Sequence, residues 1–231
     1  MGQDLLFEFI GTAILILLGD GVVANVILKG TKGHNSGWIV ISIAWGLAVF
    51  VAAFISAPYS GAHLNPALTV GLAAAGLFQG NVIGYIVAQI LGGVLGACLV
   101  YLFYKPHFDV EEDSTTKLGV FCTIPAIRNY TYNFISEVIG TFLLVFGILY
   151  VAGAEISGPY PVALLIVAIG MSLGGTTGYA INPARDLGPR IAHAILPIKG
   201  KRDSDWAYSW VPILGPFTGA LLASGLFLIL N

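Results

Sequence analysis

Six long apolar runs dominate the chain and limit it to folds in which most side chains face lipid or one another. The first, residues 5–28, is interrupted only by Glu8, Asp20 and Asn25. At about 1.5 Å of rise per residue, a helix of that length exceeds the roughly 30 Å hydrocarbon core of a bilayer. The pattern predicts an all-α membrane protein whose six transmembrane helices cover residues 5–28, 38–57, 81–104, 132–152, 160–174 and 207–230.

The composition agrees with this and excludes several functions. Only 10% of the residues are charged, against about a quarter in soluble domains. The net charge of -2 gives no sign of nucleic acid binding. His34, His107 and His193 are scattered, so we expect no metal site and no cofactor. The runs contain no Ser/His pair, paired aspartates or HExxH motif, so an enzyme is not expected.

The chain also repeats itself. Residues 8–12 (EFIGT) in the first run match residues 137–141 (EVIGT) in the fourth. Each half contains two long runs, a short apolar segment and a third long run, and three crossings per half place the second half upside down relative to the first. We therefore expect one domain, residues 1–231, built from a first repeat (1–104), a polar connecting loop (105–130) and an inverted second repeat (131–231).

The short apolar segments, residues 66–77 and 183–196, cannot cross a bilayer, and an Asn-Pro-Ala motif introduces each one. Asn is a favoured helix N-cap, and Pro is favoured at the first helical position. Both motifs therefore predict re-entrant half-helices that begin inside the membrane. The motif residues are Asn65, Pro66, Ala67, Asn182, Pro183 and Ala184.

The non-helical residues that lead into these motifs are predicted to line a pore, because irregular backbone at membrane depth must be buried or face water. Two opposed helix N-termini would repel cations and protons, while each Asn caps its helix with its oxygen and turns its NH₂ inward. Backbone carbonyls would add acceptors for a hydroxyl or water. The expected carbonyls belong to Gly61, Ala62, His63, Leu64, Gly178, Tyr179, Ala180 and Ile181.

Three acidic residues inside the apolar runs need an explanation. Glu8 and Glu137 occupy equivalent repeat positions, and we expect their carboxylates to accept hydrogen bonds from the N–H groups of the irregular loops. Asp20 lies near a span end, where we expect it to reach the interface or pair with Lys29 or Lys32. Trp38, also at a span end, is expected in the interfacial aromatic belt.

Residues 60–67 (SGAHLNPA) and 178–186 (GYAINPARD) resemble the two signatures of the major intrinsic protein family of aquaporins and glycerol facilitators, and the similarity covers nearly the whole chain. The resemblance implies a homotetramer with one pore per subunit and cytoplasmic termini. All ten Lys and Arg fall on the opposite side, whereas the positive-inside rule would make that side cytoplasmic; we follow the family. The resemblance also implies an outer selectivity filter of Trp45, Gly170, Tyr179 and Arg185.

The filter favours glycerol-sized solutes. Gly170 leaves space, Trp45 and Tyr179 would offer an apolar corner, and Arg185 would donate hydrogen bonds to hydroxyl groups. Further residues resemble the glycerol-conducting subgroup, namely Asp186, Arg190, Pro212 and Ile213. We therefore expect a channel in a bacterial plasma membrane that conducts glycerol and water and excludes protons and ions. A water-selective channel and an ion-coupled transporter are the alternatives.

The sequence departs from the better-known glycerol facilitators at one filter position, where they carry Phe in place of Tyr179. The hypothesis is that its hydroxyl adds a polar group to the apolar corner and shifts the preference toward dihydroxyacetone, urea or neutral lactic acid.

Overall fold

A computed structural model describes residues 2–151 and 158–231 of the chain, and these residues form ten α-helices. The helices are α1 (Gln3–Ile27), α2 (Trp38–Ser60), α3 (Pro66–Ala74), α4 (Val82–Phe103), α5 (Lys105–Val110), α6 (Ser114–Phe121), α7 (Tyr130–Val151), α8 (Pro159–Leu173), α9 (Pro183–Ile195) and α10 (Val211–Leu230).

Five of these helices, α1, α2, α4, α7 and α10, are long and apolar enough to cross a membrane. The sixth expected span is α8, an apolar helix of 15 residues that begins with Pro159 in its first turn. Three boundaries differ from the prediction by three or more residues, and the first of them is the end of α3, at Ala74 instead of residue 77. Helix α2 continues past Pro58 to Ser60, and α10 begins at Val211 because 206–210 form turns. Ala152, the predicted end of the fourth span, lies outside the described residues.

The two halves pack in the same way. Helix α1 packs against α4 in the first half, and α7 packs against α10 in the second, while α2 contacts α8 between the halves. Both pairs depend on glycine at equivalent positions. A Cβ at Gly92 would collide with the carbonyl of Phe9, and a Cβ at Gly219 would collide with that of Val138. Each short helix packs on a long helix of the other half, α3 on α10 and α9 on α4.

The segment that connects the halves is more ordered than the expected polar loop. It contains α5 and α6, and Asp113 caps α6 by accepting hydrogen bonds from the backbone N–H groups of Thr115 and Thr116 at 3.1 and 3.0 Å. Phe108 and Phe121 stack in its interior, fully buried. Sequence inspection missed these helices because each is shorter than about three turns and its apolar side chains are few. Within this segment α6 packs on α1 and α9, and α5 contacts α4.

Candidate pore and selectivity filter

The N-termini of α3 and α9 meet through their two asparagines. The side-chain oxygen of Asn65 accepts a hydrogen bond from the N–H of Ala67 at 2.9 Å, and that of Asn182 accepts one from Ala184 at 3.0 Å. Each NH₂ group donates across the junction, Asn65 to the Ile181 carbonyl and Asn182 to the Leu64 carbonyl, both at 2.8 Å. Each amide therefore caps its own helix and ties it to the opposite loop, and keeps one N–H for a solute.

Two of the predicted pore carbonyls thus have another partner. Leu64 and Ile181 accept the asparagine amides, so the remaining carbonyls of each loop are the free acceptors. The loops share one backbone pattern. Gly61, Ala62 and Leu64 have φ of 80°, 52° and 50°, and the equivalent residues of the second loop repeat it: Gly178, Tyr179 and Ile181 have φ of 82°, 38° and 42°. Left-handed backbone at a non-glycine residue costs of the order of 1–3 kcal/mol and needs support from its surroundings.

Glu8 lies against the first loop. Its carboxylate accepts hydrogen bonds from the N–H groups of His63 and Leu64 at 2.9 and 2.7 Å. Ser60 Oγ and Gln89 Nε2 complete its shell, each at 2.7 Å. Gln89 was not predicted from the sequence, because it is one polar residue in an apolar run with no motif around it.

Glu137 repeats the arrangement for the second loop. It accepts hydrogen bonds from the N–H groups of Ala180 and Ile181 at 3.0 and 2.8 Å. Both carboxylates are buried, so the N–H groups that they accept would otherwise face no partner in an apolar interior. The predicted contacts of both glutamates with the loops are therefore present in the structure.

A cavity of about 310 Å³ runs past both asparagines. Most of the predicted carbonyl residues line it, and within the described part of the chain Gly178 is the exception. Much of the remaining lining is apolar. The apolar lining residues include Leu15, Val49, Ala53, Leu68, Leu72, Leu144, Ile148, Val162 and Ile166. The cavity thus offers both hydrogen-bonding groups and hydrocarbon, which suits a small molecule with both hydroxyl groups and a carbon chain.

Trp45, Tyr179 and Arg185 line the same cavity. The guanidinium carbon of Arg185 lies 4.4 Å from the centre of the Trp45 ring, a cation–π contact. Nη1 of Arg185 lies 3.3 Å from the carbonyl oxygen of Phe121, at the end of α6. Nε and Nη2 have no hydrogen-bond partner among the described residues and remain free to donate.

Gly170 differs from the expectation. It is buried and is not among the described residues that line the cavity. A Cβ built on Gly170 would lie 2.8 Å from Cζ of Tyr179 and 2.9 Å from its hydroxyl oxygen. The space left by the missing side chain is therefore filled by the Tyr179 ring, which lies directly against α8.

In this position of the ring, the Tyr179 hydroxyl is buried. Its oxygen is buried and has no hydrogen-bond partner in residues 2–151 and 158–231. The hypothesis that this hydroxyl adds a polar group to the lining is therefore not supported by the geometry. Trp38, expected only in the interfacial belt, also packs against this ring. The Trp38 and Tyr179 rings pack edge to face with their centres 5.8 Å apart, and Nε1 of Trp38 donates a hydrogen bond to the Gly170 carbonyl at 2.9 Å.

Asp20 also differs from the expectation. It is fully buried and does not pair with Lys29 or Lys32; its Oδ1 lies 3.4 Å from Nη1 of Arg185. Lys29 pairs instead with Glu111, at 3.4 Å. The only signal in the sequence was a carboxylate inside an apolar run, which indicates a functional position but does not name the partner.

Two of the residues that resemble the glycerol subgroup, Asp186 and Arg190, form a buried network next to Arg185. Arg190 donates from Nε to Asp186 at 2.7 Å, and both side chains are completely buried. Asp186 also accepts from the N–H and the hydroxyl of Thr123, at 2.9 and 2.6 Å. This network fixes the connecting segment on α9. Pro212 and Ile213 lie in the first turn of α10, away from the described cavity lining.

Comparison with known proteins agrees with this architecture. Residues 1–227 match the major intrinsic protein family. Glycerol uptake facilitator protein 3 of Lactiplantibacillus plantarum is 58% identical over 234 residues, covering 100% of this chain and 98% of that protein. The probable glycerol uptake facilitator protein of Thermotoga maritima is 57% identical over 226 residues, with 96% and 97% coverage.

A solved structure shows the same fold. The X-ray structure of the aquaglyceroporin from Plasmodium falciparum superposes with a TM-score of 0.85 at 34% identity, over 97% of this chain and 94% of that one. The apolar helices, the paired asparagine caps and the similarity over nearly the full length lead to one assignment: this multi-pass membrane protein belongs to the major intrinsic protein family.

Proposed function

We propose that the protein is a passive channel for glycerol and related small neutral solutes, and that water also passes. The observation that carries the proposal is the cavity that combines hydrogen-bonding groups with a largely apolar lining, with Asn65 and Asn182 at its junction and Arg185 beside Trp45. The names of the similar facilitators support the same solute. Dihydroxyacetone, urea and neutral lactic acid are the further solutes to test.

Exclusion of protons and cations is proposed to arise at the asparagine junction. The N-termini of α3 and α9 each carry about half a positive charge, and they face each other there. A water molecule at this point receives hydrogen bonds from both amides and orients its oxygen toward them. It then cannot pass a proton along a continuous chain of hydrogen bonds.

The filter of this channel is proposed to consist of Trp45, Tyr179 and Arg185, with Gly170 setting the position of Tyr179. Nε and Nη2 of Arg185 donate to solute hydroxyls while the carbon chain slides along the two aromatic rings. Glu8 and Glu137 hold the loops. The proposed assembly is a homotetramer of two-repeat subunits (1–104 and 131–231, joined by 105–130) in a bacterial plasma membrane, with cytoplasmic termini.

Light scattering on proteoliposomes tests the proposal. Glycerol entry, osmotic water flow and solute uptake under an imposed proton gradient are measured on the same vesicles. We expect glycerol to enter much faster than in protein-free vesicles, with no accumulation above equilibrium. Fast water flow without glycerol entry would indicate a water-selective channel, and gradient-driven accumulation would indicate a coupled transporter.

Arg185→Ala tests the filter separately. The variant removes the charged donor, so we expect a less selective pore that admits larger polyols and ions. An Arg185→Ala channel that still excludes ions and discriminates between polyols as the unmodified protein does would refute the assigned role. Crosslinking in the membrane checks the tetramer.

A further inference from the structure

On the basis of the channel proposed above, we propose that Asp20 is the counter-charge of the selectivity filter. It compensates the charge of Arg185 and thereby prevents small anions from entering a pore that is otherwise lined by positive groups. The solute class that it selects against is small inorganic and carboxylate anions.

The position of Asp20 is the first observation. It lies on α1, which contributes no residue to the four-residue filter expected from the family resemblance, and its side chain is completely buried. Nη1 of Arg185 lies 3.4 Å from Oδ1. The neighbouring Gly19 lets the Trp45 ring lie against the α1 backbone, since a Cβ there would collide with that ring. The dipeptide Gly19-Asp20 therefore contacts both filter side chains that meet in the cation–π pair.

The cost of this carboxylate is the second observation. Its Oδ2 is buried and has no hydrogen-bond partner in the described residues. A buried charge of this kind costs several kcal/mol, and an apolar side chain on α1 would remove that cost. Of the two carboxylate oxygens, only Oδ1 has a hydrogen-bond partner, and that partner is Arg185. The residue is therefore explained by the guanidinium that it faces and not by packing of α1.

Positive groups dominate the electrostatic potential along the cavity. Arg185 and the N-termini of α3 and α9 all contribute positive potential along the cavity, which repels cations but attracts anions. The other buried carboxylates face different groups: Asp186 pairs with Arg190, and the two glutamates accept loop N–H groups. Within the described residues, Asp20 is the only carboxylate paired with Arg185.

Chloride entry into proteoliposomes tests the inference. In external potassium chloride with valinomycin present, vesicles swell only as fast as chloride enters. Asp20→Asn keeps the shape of the side chain and removes its charge. We expect the unmodified channel to admit chloride no faster than protein-free vesicles, and Asp20→Asn to admit it about tenfold faster, a change equal to about 1.4 kcal/mol in the barrier.

Glycerol entry on the same vesicles separates this inference from the proposed function. If the unmodified protein does not conduct glycerol, the channel proposal fails whatever the chloride result. If Asp20→Asn conducts glycerol but admits chloride no faster than the unmodified protein, the counter-charge role is overturned and the channel proposal stands.

Three further variants complete the test. Asp203→Asn removes a carboxylate that is 72% exposed in the loop before α10 and does not pair with Arg185, so its chloride rate should equal that of the unmodified protein. Asp20→Glu retains the charge and should retain chloride exclusion. Asp20→Ser is the second neutral variant, used if Asp20→Asn is not recovered folded from membranes. Folded neutral variants that conduct neither glycerol nor chloride would also overturn the inference.

Discussion

Replacing Gly170 by alanine should narrow the pore by pushing the Tyr179 ring into it. The new Cβ would lie 2.8 Å from Cζ of Tyr179, whereas carbon atoms in favourable contact lie about 3.5–4.0 Å apart, so the ring must move by roughly 1 Å. Gly174 and Trp38 back the other parts of the ring, and a Cβ at Gly174 would itself collide with it. The free direction is toward the cavity that Tyr179 lines.

The expected effect is larger for glycerol than for water. Overpacking of this kind costs about 1–3 kcal/mol. If the bulkier solute meets that cost at the filter, glycerol entry falls by roughly 5- to 150-fold. Water is smaller than the remaining opening, so we expect its rate to change by less than about threefold. Alanine also favours helix over glycine by about 1 kcal/mol within α8, so the loss is not expected to come from unfolding.

Stopped-flow light scattering with glycerol and sucrose gradients measures both rates. Gly175→Ala is the matched control, because a Cβ at this exposed glycine would meet no atom within 4 Å. Combining Gly170→Ala with Tyr179→Ala removes the displaced ring and should restore glycerol entry. A Gly170→Ala channel with the glycerol rate of the unmodified protein would refute the idea that glycine sets the position of Tyr179.

Three further outcomes follow from the same structure. Glu137→Leu leaves two buried N–H groups without their acceptor, at about 1–3 kcal/mol each, so thermal unfolding in detergent should occur at a clearly lower temperature; an unchanged melting temperature would contradict the support role. Tyr179→Phe should leave the ratio of glycerol to water permeability within about twofold, because the lost hydroxyl is buried and a twofold change corresponds to under about 0.5 kcal/mol. A larger shift in proteoliposomes would support the hypothesis that the Tyr179 hydroxyl adds a polar group to the pore lining. Arg128 donates to Asp205 outside the membrane-spanning helices, which lowers the pKa of this carboxyl. The pair therefore stabilises the protein above the unfolded-state pKa of about 3.9 and ceases to do so as the pH falls through the lower folded-state pKa. The melting-temperature difference between Asp205→Asn and the unmodified protein should be present at pH 7 and shrink below about pH 4; a constant difference would count against the ion pair.

The sequence by itself determined the spans, the two half-helices and the paired carboxylates. Each of these depends on local chemistry or on a repeat. A run of apolar residues has to be helical in lipid, whatever lies beside it. An Asn-Pro start caps a helix within three residues, and Glu8 and Glu137 are recognisable because the repeat places them at equivalent positions. The boundary errors were small, as at Pro58, where the helix continues to Ser60.

Only the tertiary structure decided how the filter is built. Asp20 and Arg185 are 165 residues apart, so no local pattern indicates that one faces the other. Gly170 was read as open space, but a missing side chain can be filled by any neighbour, and the fold fills it with Tyr179. Helix α6 was not visible in the sequence, although its last carbonyl holds Nη1 of Arg185. Charge compensation and the width of the pore depend on atoms brought together from distant segments, and only the packed chain fixes those distances.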